Sequence, residues 1–164
     1  MKPRKIQLTP PAINDYLIKI SEHGDKNLRA MENYARQHEF PIIGPIVGRF
    51  LSQMARLTGA TRIFEMGSGY GYSAYWFATG MKPGGRILCT DGSEENRVKA
   101  EKNFAAGRFD IRLEYHVGDA IEILERFKGP FDIILNDIDK EDYPRTVVLA
   151  AERLRSGGLF ITDN

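Results

Sequence analysis

Apolar positions divide the chain into a part with helical spacing and a part with short continuous runs. Up to about residue 58, apolar side chains recur at the spacing that predicts amphipathic helices. Such stripes lie over residues 13–20, 28–35 and 46–54. The Phe40-Pro41 pair separates the last two, because proline disfavours helix at the residue before it. We therefore predict a helical N-terminal part over residues 1–58.

From residue 60 onward, short apolar runs alternate with helix-like segments. This alternation predicts βαβ units and therefore a parallel sheet with helices on both faces. Right-handed crossovers then give a doubly wound, Rossmann-like α/β fold. We expect one domain over residues 1–164, with this core over 60–164. The predicted strands are 62–66, 86–90, 112–117, 131–135 and 158–162, and the predicted helices between them lie near 72–80, 94–106, 119–127 and 142–155.

Composition narrows the class of protein. The chain of 164 residues is 42% hydrophobic and 27% charged, which suits one soluble globular domain with its own core. A net charge of +1 gives no electrostatic reason to bind nucleic acid or an anionic membrane in bulk, although a specific RNA substrate stays open. No apolar run is long enough for a membrane span. Cys89 is the single cysteine, so a disulfide framework within the chain is excluded and a reducing cytoplasm fits.

A glycine loop follows the first predicted strand, within residues 65–73. Its glycines let the backbone turn sharply and let a ligand approach closely. A dinucleotide fingerprint would need its third glycine at the position of Tyr72. The strand also ends in Glu65, and an acid is a poor neighbour for phosphate but a good one for a sulfonium or an α-ammonium group. A tight turn without any ligand is the alternative interpretation.

Asp91 ends the second predicted strand. A carboxylate at this place can accept both hydroxyls of a ribose. Together with Glu65, it indicates a nucleoside ligand that carries positive charge and no phosphate. S-adenosylmethionine fits that description.

Oxygen-bearing side chains follow the last two predicted strands, which we expect to be neighbours. Asp137 follows the fourth strand, and Asp163 and Asn164 follow the fifth. Because oxygen ligands suit a hard cation, these three residues are candidate ligands for Mg²⁺, with Mn²⁺ or Ca²⁺ as alternatives. An aspartate at a strand end is also a common helix cap or turn former, which is the competing interpretation.

The stretch from Pro41 to Asn164 resembles the cation-dependent class I O-methyltransferases of the catechol and caffeoyl-CoA type, including their bacterial relatives. It covers about three quarters of the chain, and the order and spacing of the motifs are more specific than any one motif. The motifs that carry the resemblance are residues 65–73, 118–120, 137–143 and 157–158, followed by Asp163-Asn164.

The resemblance implies S-adenosylmethionine as the cofactor and assigns a role to individual residues. The amino-acid end of the cofactor would lie at Glu65, Gly67, Ser68 and Ser73, with Gly69 in the same loop. The methionine part of the cofactor would lie near Ile43. The ribose would lie at Asp91, and the adenine at Asp119 and Ala120. Asp139 would support the cofactor or cap the next helix. Asp137, Asp163 and Asn164 would hold the metal ion. Lys140 would serve as general base, although an ordinary surface lysine is the competing interpretation.

The resemblance also implies methyl transfer to a metal-held hydroxyl of a small molecule such as a catechol or a phenylpropanoid, and a homodimer. Three alternatives stay open: a methyltransferase for hydroxyuridine in tRNA, a nicotinamide-dependent oxidoreductase, and a module that binds the cofactor without catalysis. Relatives continue past the position of Asn164 with a helix and an antiparallel hairpin, so we expect that this chain is incomplete. Relatives carry an apolar residue at the position of Asn136.

Overall fold

The computed structural model describes residues 10–163. Its N-terminal part consists of three helices, as predicted. The second helix begins where the Asp25 side chain accepts hydrogen bonds from the backbone amides of Asn27 and Leu28, which satisfies amide groups that have no partner within the helix. The third helix ends at Gly59 in the left-handed conformation. The helices are α1 (Pro11–Ile20), α2 (Lys26–His38) and α3 (Gly44–Thr58).

The rest of the described chain forms a sheet of five parallel strands in the order β3-β2-β1-β4-β5. This confirms the predicted doubly wound fold. The strands are β1 (Arg62–Met66), β2 (Gly85–Asp91), β3 (Ile111–Val117), β4 (Phe131–Asn136) and β5 (Leu154–Thr162). The connecting helices are α4 (Tyr72–Gly80), α5 (Glu94–Gly107), α6 (Ala120–Arg126) and α7 (Tyr143–Arg153), with a short 3₁₀ turn at Lys140–Asp142.

The start of the last strand was predicted wrongly. The predicted helix ran to about residue 155 and the predicted strand began at 158, whereas the helix ends at Arg153 and β5 begins at Leu154. Its pairing with β4 shifts between Phe131 and Ile133, and Gly157 has a φ of 73°. A bulge of this kind interrupts the apolar run from which the strand was recognised.

Two apolar layers cover the sheet because side chains alternate along each strand. Ile63 and Ile87 face the layer formed by α3, α4 and α5. Phe64 and Leu88 face the layer formed by α6 and α7. A third cluster joins α2 to α4 through Leu28, Met31, Tyr72, Tyr75 and Trp76. Within residues 10–163, no helix combines the length and the apolar character that a membrane crossing requires.

Candidate active site

A cleft with two lobes opens at the carboxyl ends of the strands. The first lobe is a cavity of about 300 Å³, and the second has a volume of about 400 Å³. Gly67, Asp91 and Asp137 line both lobes, so the lobes adjoin. The first lobe is further lined by Phe40, Pro41, Ile42, Ile43, Ser68, Gly69, Tyr70, Tyr72, Ser73 and Asp163. The second is further lined by Gly92, Gly118, Ala120, Ile138 and Asp139.

The glycine loop forms the floor between the two lobes. The backbone amides of Gly67 and Ser68 both donate to the carbonyl of Thr90, over 3.1 and 2.8 Å. Gly67 has a φ of +82°, and a Cβ atom there would lie 2.1 Å from the carbonyl oxygen of Asp137. Only glycine therefore allows the loop to pass this close to the end of β4.

Glu65 lies below the loop and is 0% exposed. Burial raises the pKa of its carboxyl group to about 7, and the nearby hydroxyls of Ser73 and Ser68 partly offset this rise. Its Oε2 accepts a hydrogen bond from Cys89 Sγ at 3.4 Å, while its Oε1 has no hydrogen-bond partner among residues 10–163. One oxygen of this buried acid therefore lacks a partner, and Glu65 itself is part of neither lobe's lining.

Asp91 is held in one orientation at the end of β2. Its Oδ2 accepts from the amide of Gly69 at 3.1 Å. Its Oδ1 accepts from the amide of Ser93 at 2.9 Å and from Asn96 Nδ2 at 3.0 Å. Oδ1 already accepts two bonds, whereas Oδ2 can accept one more. This side chain is therefore preorganised to accept a hydroxyl group from a ligand in either lobe.

Asp137 and Asp163 bring two carboxylates to the same lobe. The amide of Asp137 donates to the Met66 carbonyl at 2.9 Å, and the amide of Asp163 donates to the Asn136 carbonyl at 3.1 Å. Asp137 is an exposed residue in the lining of the cleft. Partial desolvation of its carboxyl group by the walls of the cleft, together with the charge of Asp163, raises its pKa to about 6. The two acids therefore repel each other in the absence of a cation.

The third predicted metal ligand, Asn164, lies outside the described residues. Within residues 10–163, no group of three or more His, Cys, Asp or Glu side chains is arranged to hold a metal ion. The described part of the chain thus supplies two carboxylates on the wall of one lobe and not a complete ion site.

Of the four remaining predicted site residues, two line the cleft and two do not. Ala120 and Asp139 line the second lobe. The Asp119 side chain instead accepts from the amide of Glu122 at 2.8 Å and caps α6. Lys140 is exposed on the 3₁₀ turn and is not part of either lining.

Residues 40–43 form an apolar strap along one wall of the first lobe. Of these residues, only Ile43 was predicted to belong to the site. The Phe40 ring lies over Gly69, where a Cβ atom would come within 3.1 Å of it, and it packs edge-on against Tyr70 at 4.8 Å. The Phe40-Pro41 helix break was the available signal, since a break between helices at a cleft places a short extended segment there.

The chain matches the O-methyltransferase family profile over residues 20–164. It is 30% identical over 159 residues to a catechol O-methyltransferase of Niastella koreensis, and the match covers 93% of this chain and 72% of that protein. Among solved structures, an O-methyltransferase from Bacillus cereus in complex with SAH has a TM-score of 0.83 at 29% identity, covering 93% of this chain and 72% of the other. The O-methyltransferase TomG from Streptomyces achromogenes, in complex with SAM, has a TM-score of 0.83 at 28% identity, covering 93% and 71%.

The profile match covers most of the chain, and the fold agrees with that of these proteins. Both findings favour methyl transfer over the nicotinamide alternative. They confirm the recognised family and the predicted enzyme class. The chain belongs to the class I O-methyltransferase family and is a S-adenosylmethionine-dependent O-methyltransferase.

Proposed function

We propose that this enzyme methylates a hydroxyl group of a small molecule that a divalent cation holds between Asp137 and Asp163. The observation that carries the proposal is that both carboxylates line the same cavity as the glycine loop above Glu65. A site for a cationic methyl donor and a site for a metal ion thereby adjoin in one cleft.

The amino-acid end of S-adenosylmethionine fits the first lobe. Its α-ammonium group would pair with the free Oε1 of Glu65, and Ser73 would donate to its carboxylate. Ile43 offers an apolar contact for the methionine chain. Two structurally similar O-methyltransferases, in complex with SAH and with SAM, support this choice of ligand.

The adenosine end fits the second lobe. Asp91 lines both lobes and would accept a ribose hydroxyl at Oδ2. Ala120 and Asp139 line the space in which the adenine would lie. The Asp119 side chain caps α6, so we assign its contribution to the backbone that leads into Ala120.

The carboxylates of Asp137 and Asp163 suit a divalent cation, because hard cations prefer oxygen ligands. We propose Mg²⁺, with Mn²⁺ or Ca²⁺ as alternatives. A cation would also relieve the repulsion that contributes to the raised pKa of Asp137. We assign Asn164 as the third ligand on the basis of the family motif. When bound, the ion would orient the acceptor hydroxyl and lower its pKa.

The chemistry left to the protein is proton transfer and alignment. Lys140 would accept the proton of the acceptor hydroxyl as the oxygen–carbon bond forms and the carbon–sulfur bond breaks, leaving S-adenosylhomocysteine. Lys140 is exposed on the turn that follows Asp137, from which its long side chain would extend to the acceptor. The strap at residues 40–43 would exclude water from the reacting atoms.

For the acceptor, we propose a catechol or a phenylpropanoid with adjacent hydroxyl groups. The name of the Niastella koreensis relative, a catechol O-methyltransferase, supports this class. Two adjacent oxygens on a planar ring can occupy two positions of an octahedral ion while the apolar strap covers the ring.

We also propose that two copies of the chain associate through α1. This helix has no buried residue, and it exposes Ile13, Tyr16, Ile18 and Ile20, each between 46% and 61%. A second copy would cover this apolar surface. Sedimentation should show a dimer for the wild type and a monomer for the Tyr16→Glu/Ile20→Glu variant; a monomeric wild type would contradict the assignment.

Methyl transfer from labelled S-adenosylmethionine tests the proposed reaction, with a panel of catechols, phenylpropanoids and hydroxyuridine RNA as acceptors. We expect labelled catechol or phenylpropanoid product, loss of product after chelation, and recovery on adding Mg²⁺. Asp137→Asn should abolish transfer, while Asp142→Asn, in the same loop but outside both linings, should retain it. Transfer that persists after thorough metal removal would refute the metal site, and labelling of RNA alone would refute the acceptor class.

A further inference from the structure

Helix α2 is tied to the glycine loop by tyrosine hydroxyl groups. Three tyrosines between residues 70 and 75 each donate to α2 or to its capping residue, across a cluster that is otherwise apolar. The bonds join Tyr70 Oη to the Met31 carbonyl at 3.0 Å, Tyr72 Oη to Glu32 Oε1 at 2.7 Å, and Tyr75 Oη to Asp25 Oδ2 at 3.0 Å.

Of these tyrosines, Tyr72 combines a side-chain acceptor with a position in the cleft. It lines the first lobe and is 3% exposed. It is the first residue of α4 and directly precedes Ser73. Tyr75 also donates to a carboxylate, but its hydroxyl accepts a second bond from Asn27 Nδ2 at 3.1 Å. Unlike Tyr72, it is not part of the lining of the cleft.

The acceptor, Glu32, is itself fixed. The same Oε1 that accepts from Tyr72 lies 2.9 Å from Nε2 of His23. A carboxylate oxygen accepts such a bond from the tautomer of the ring that carries hydrogen on Nε2. Two donors thus converge on one oxygen, and hydrogen bonds to a charged acceptor are stronger than neutral ones.

The ring of Trp76 packs against both donors and restricts their movement. It meets His23 edge-on at a centroid distance of 5.2 Å and Tyr72 at 6.5 Å. The His23 and Glu32 side chains are 11% and 20% exposed. A charged acceptor with little access to water and a packed ring give the first turn of α4 one conformation.

We propose that Glu32 is a positioning residue for the cofactor site and acts through Tyr72. Its carboxylate holds the Tyr72 ring, and with it the first turn of α4, so that the Ser73 hydroxyl and the lobe wall are in place before the cofactor enters. The inference rests on the proposed cofactor placement in the first lobe. Without the tether, binding would have to order this turn, and affinity would fall by that cost.

Calorimetric titration with S-adenosylhomocysteine tests the tether. In the full-length protein, Tyr72→Phe and Glu32→Ala should each raise Kd about tenfold, the size expected from the loss of one charge-assisted hydrogen bond. Glu32→Gln keeps an acceptor oxygen and should stay within about threefold of the wild type. The double variant Tyr72→Phe/Glu32→Ala should bind no more weakly than Glu32→Ala alone, because the bond to Tyr72 is already absent in that variant.

The control is Tyr75→Phe, which removes a tyrosine hydroxyl bond from the same interface but away from the cleft. Because the Tyr75 hydroxyl makes two hydrogen bonds, the variant should lower the melting temperature at least as much as Tyr72→Phe and leave Kd unchanged. Equal weakening in the two tyrosine variants, additive losses in the double variant, or an unchanged Kd in Tyr72→Phe would overturn the proposal. If Tyr72→Phe does not fold, the contrast between Glu32→Ala and Glu32→Gln decides. A wild-type protein that does not bind S-adenosylhomocysteine would instead refute the cofactor placement.

Discussion

Replacing Glu65 by Gln should stabilise the cofactor-free enzyme in a pH-dependent way. Burial raises the pKa of Glu65 from 4.5 to about 7, so the folded state holds its proton more tightly than the unfolded state. As the pH rises through this window, the unfolded carboxyl ionises while the folded one stays protonated, and the free energy of unfolding falls. At about 1.4 kcal/mol per pH unit, the loss in the wild type amounts to about 3 kcal/mol above pH 7.

Urea unfolding at pH 5 and pH 8 measures this effect. The advantage of Glu65→Gln over the wild type should grow by about 2.5 kcal/mol between these pH values, because the amide does not titrate. Glu22→Gln, at an exposed glutamate, should show no such growth. A difference in the free energy of unfolding between Glu65→Gln and the wild type that does not change with pH would refute the reasoning, since Glu65 would then ionise with its ordinary pKa.

The same carboxyl group should couple cofactor binding to pH. An α-ammonium group pairs with ionised Glu65, so binding in the wild type requires the loss of the proton that is held up to about pH 7. The Kd for S-adenosylhomocysteine should therefore be about tenfold higher at pH 6 than at pH 8. In Glu65→Gln, binding should be weaker at both pH values and its pH dependence largely lost. An equally steep pH dependence in the variant would assign the coupling to another group.

Three further substitutions test other parts of the site. Gly67→Ala should cost more than about 3 kcal/mol of stability and abolish activity, because its Cβ would lie 2.1 Å from the Asp137 carbonyl oxygen. Gly84 has a similar φ, but a Cβ there would have no atom within 4 Å. Gly84→Ala should therefore cost about 1 kcal/mol in the same urea titration. Asn136→Leu should raise the free energy of unfolding by about 1–3 kcal/mol, because both amide atoms of this fully buried side chain lack a partner among residues 10–163; a destabilised variant would indicate a hidden partner. Lys140→Met should lower kcat by about 10²- to 10⁴-fold and leave cofactor affinity unchanged, and a kcat near that of the wild type would exclude Lys140 as the base.

Much of the fold was predictable because the strands of a doubly covered sheet are continuous apolar runs. The predicted bounds of β1 agree with the structure, and they place Glu65 near the end of that strand. The apolar run of β2 in the same way placed Asp91 at the end of β2. Prediction failed where a bulge replaced the pattern, at Gly157 in β5. Periodicity identifies the face of a strand and carries no information on local irregularity.

The candidate site was predictable to the extent that its residues lie at strand ends. The carboxyl ends of parallel strands meet at one edge, and this brings Asp91 and Asp137 to one cleft. The strap at residues 40–43 and the bond between Tyr72 and Glu32 were not predicted. Both depend on how α2 packs against α4, and the hydroxyl and carboxylate that meet there are 40 residues apart in the sequence.

Cation binding to the cofactor-loaded enzyme tests the central claim most directly. Electron paramagnetic resonance of Mn²⁺, titrated into protein saturated with S-adenosylhomocysteine, should reveal one bound ion for each chain of the wild type. The Asp137→Asn/Asp163→Asn variant should bind S-adenosylhomocysteine and no Mn²⁺. Equal Mn²⁺ binding by the two proteins, or none by either, would contradict the account.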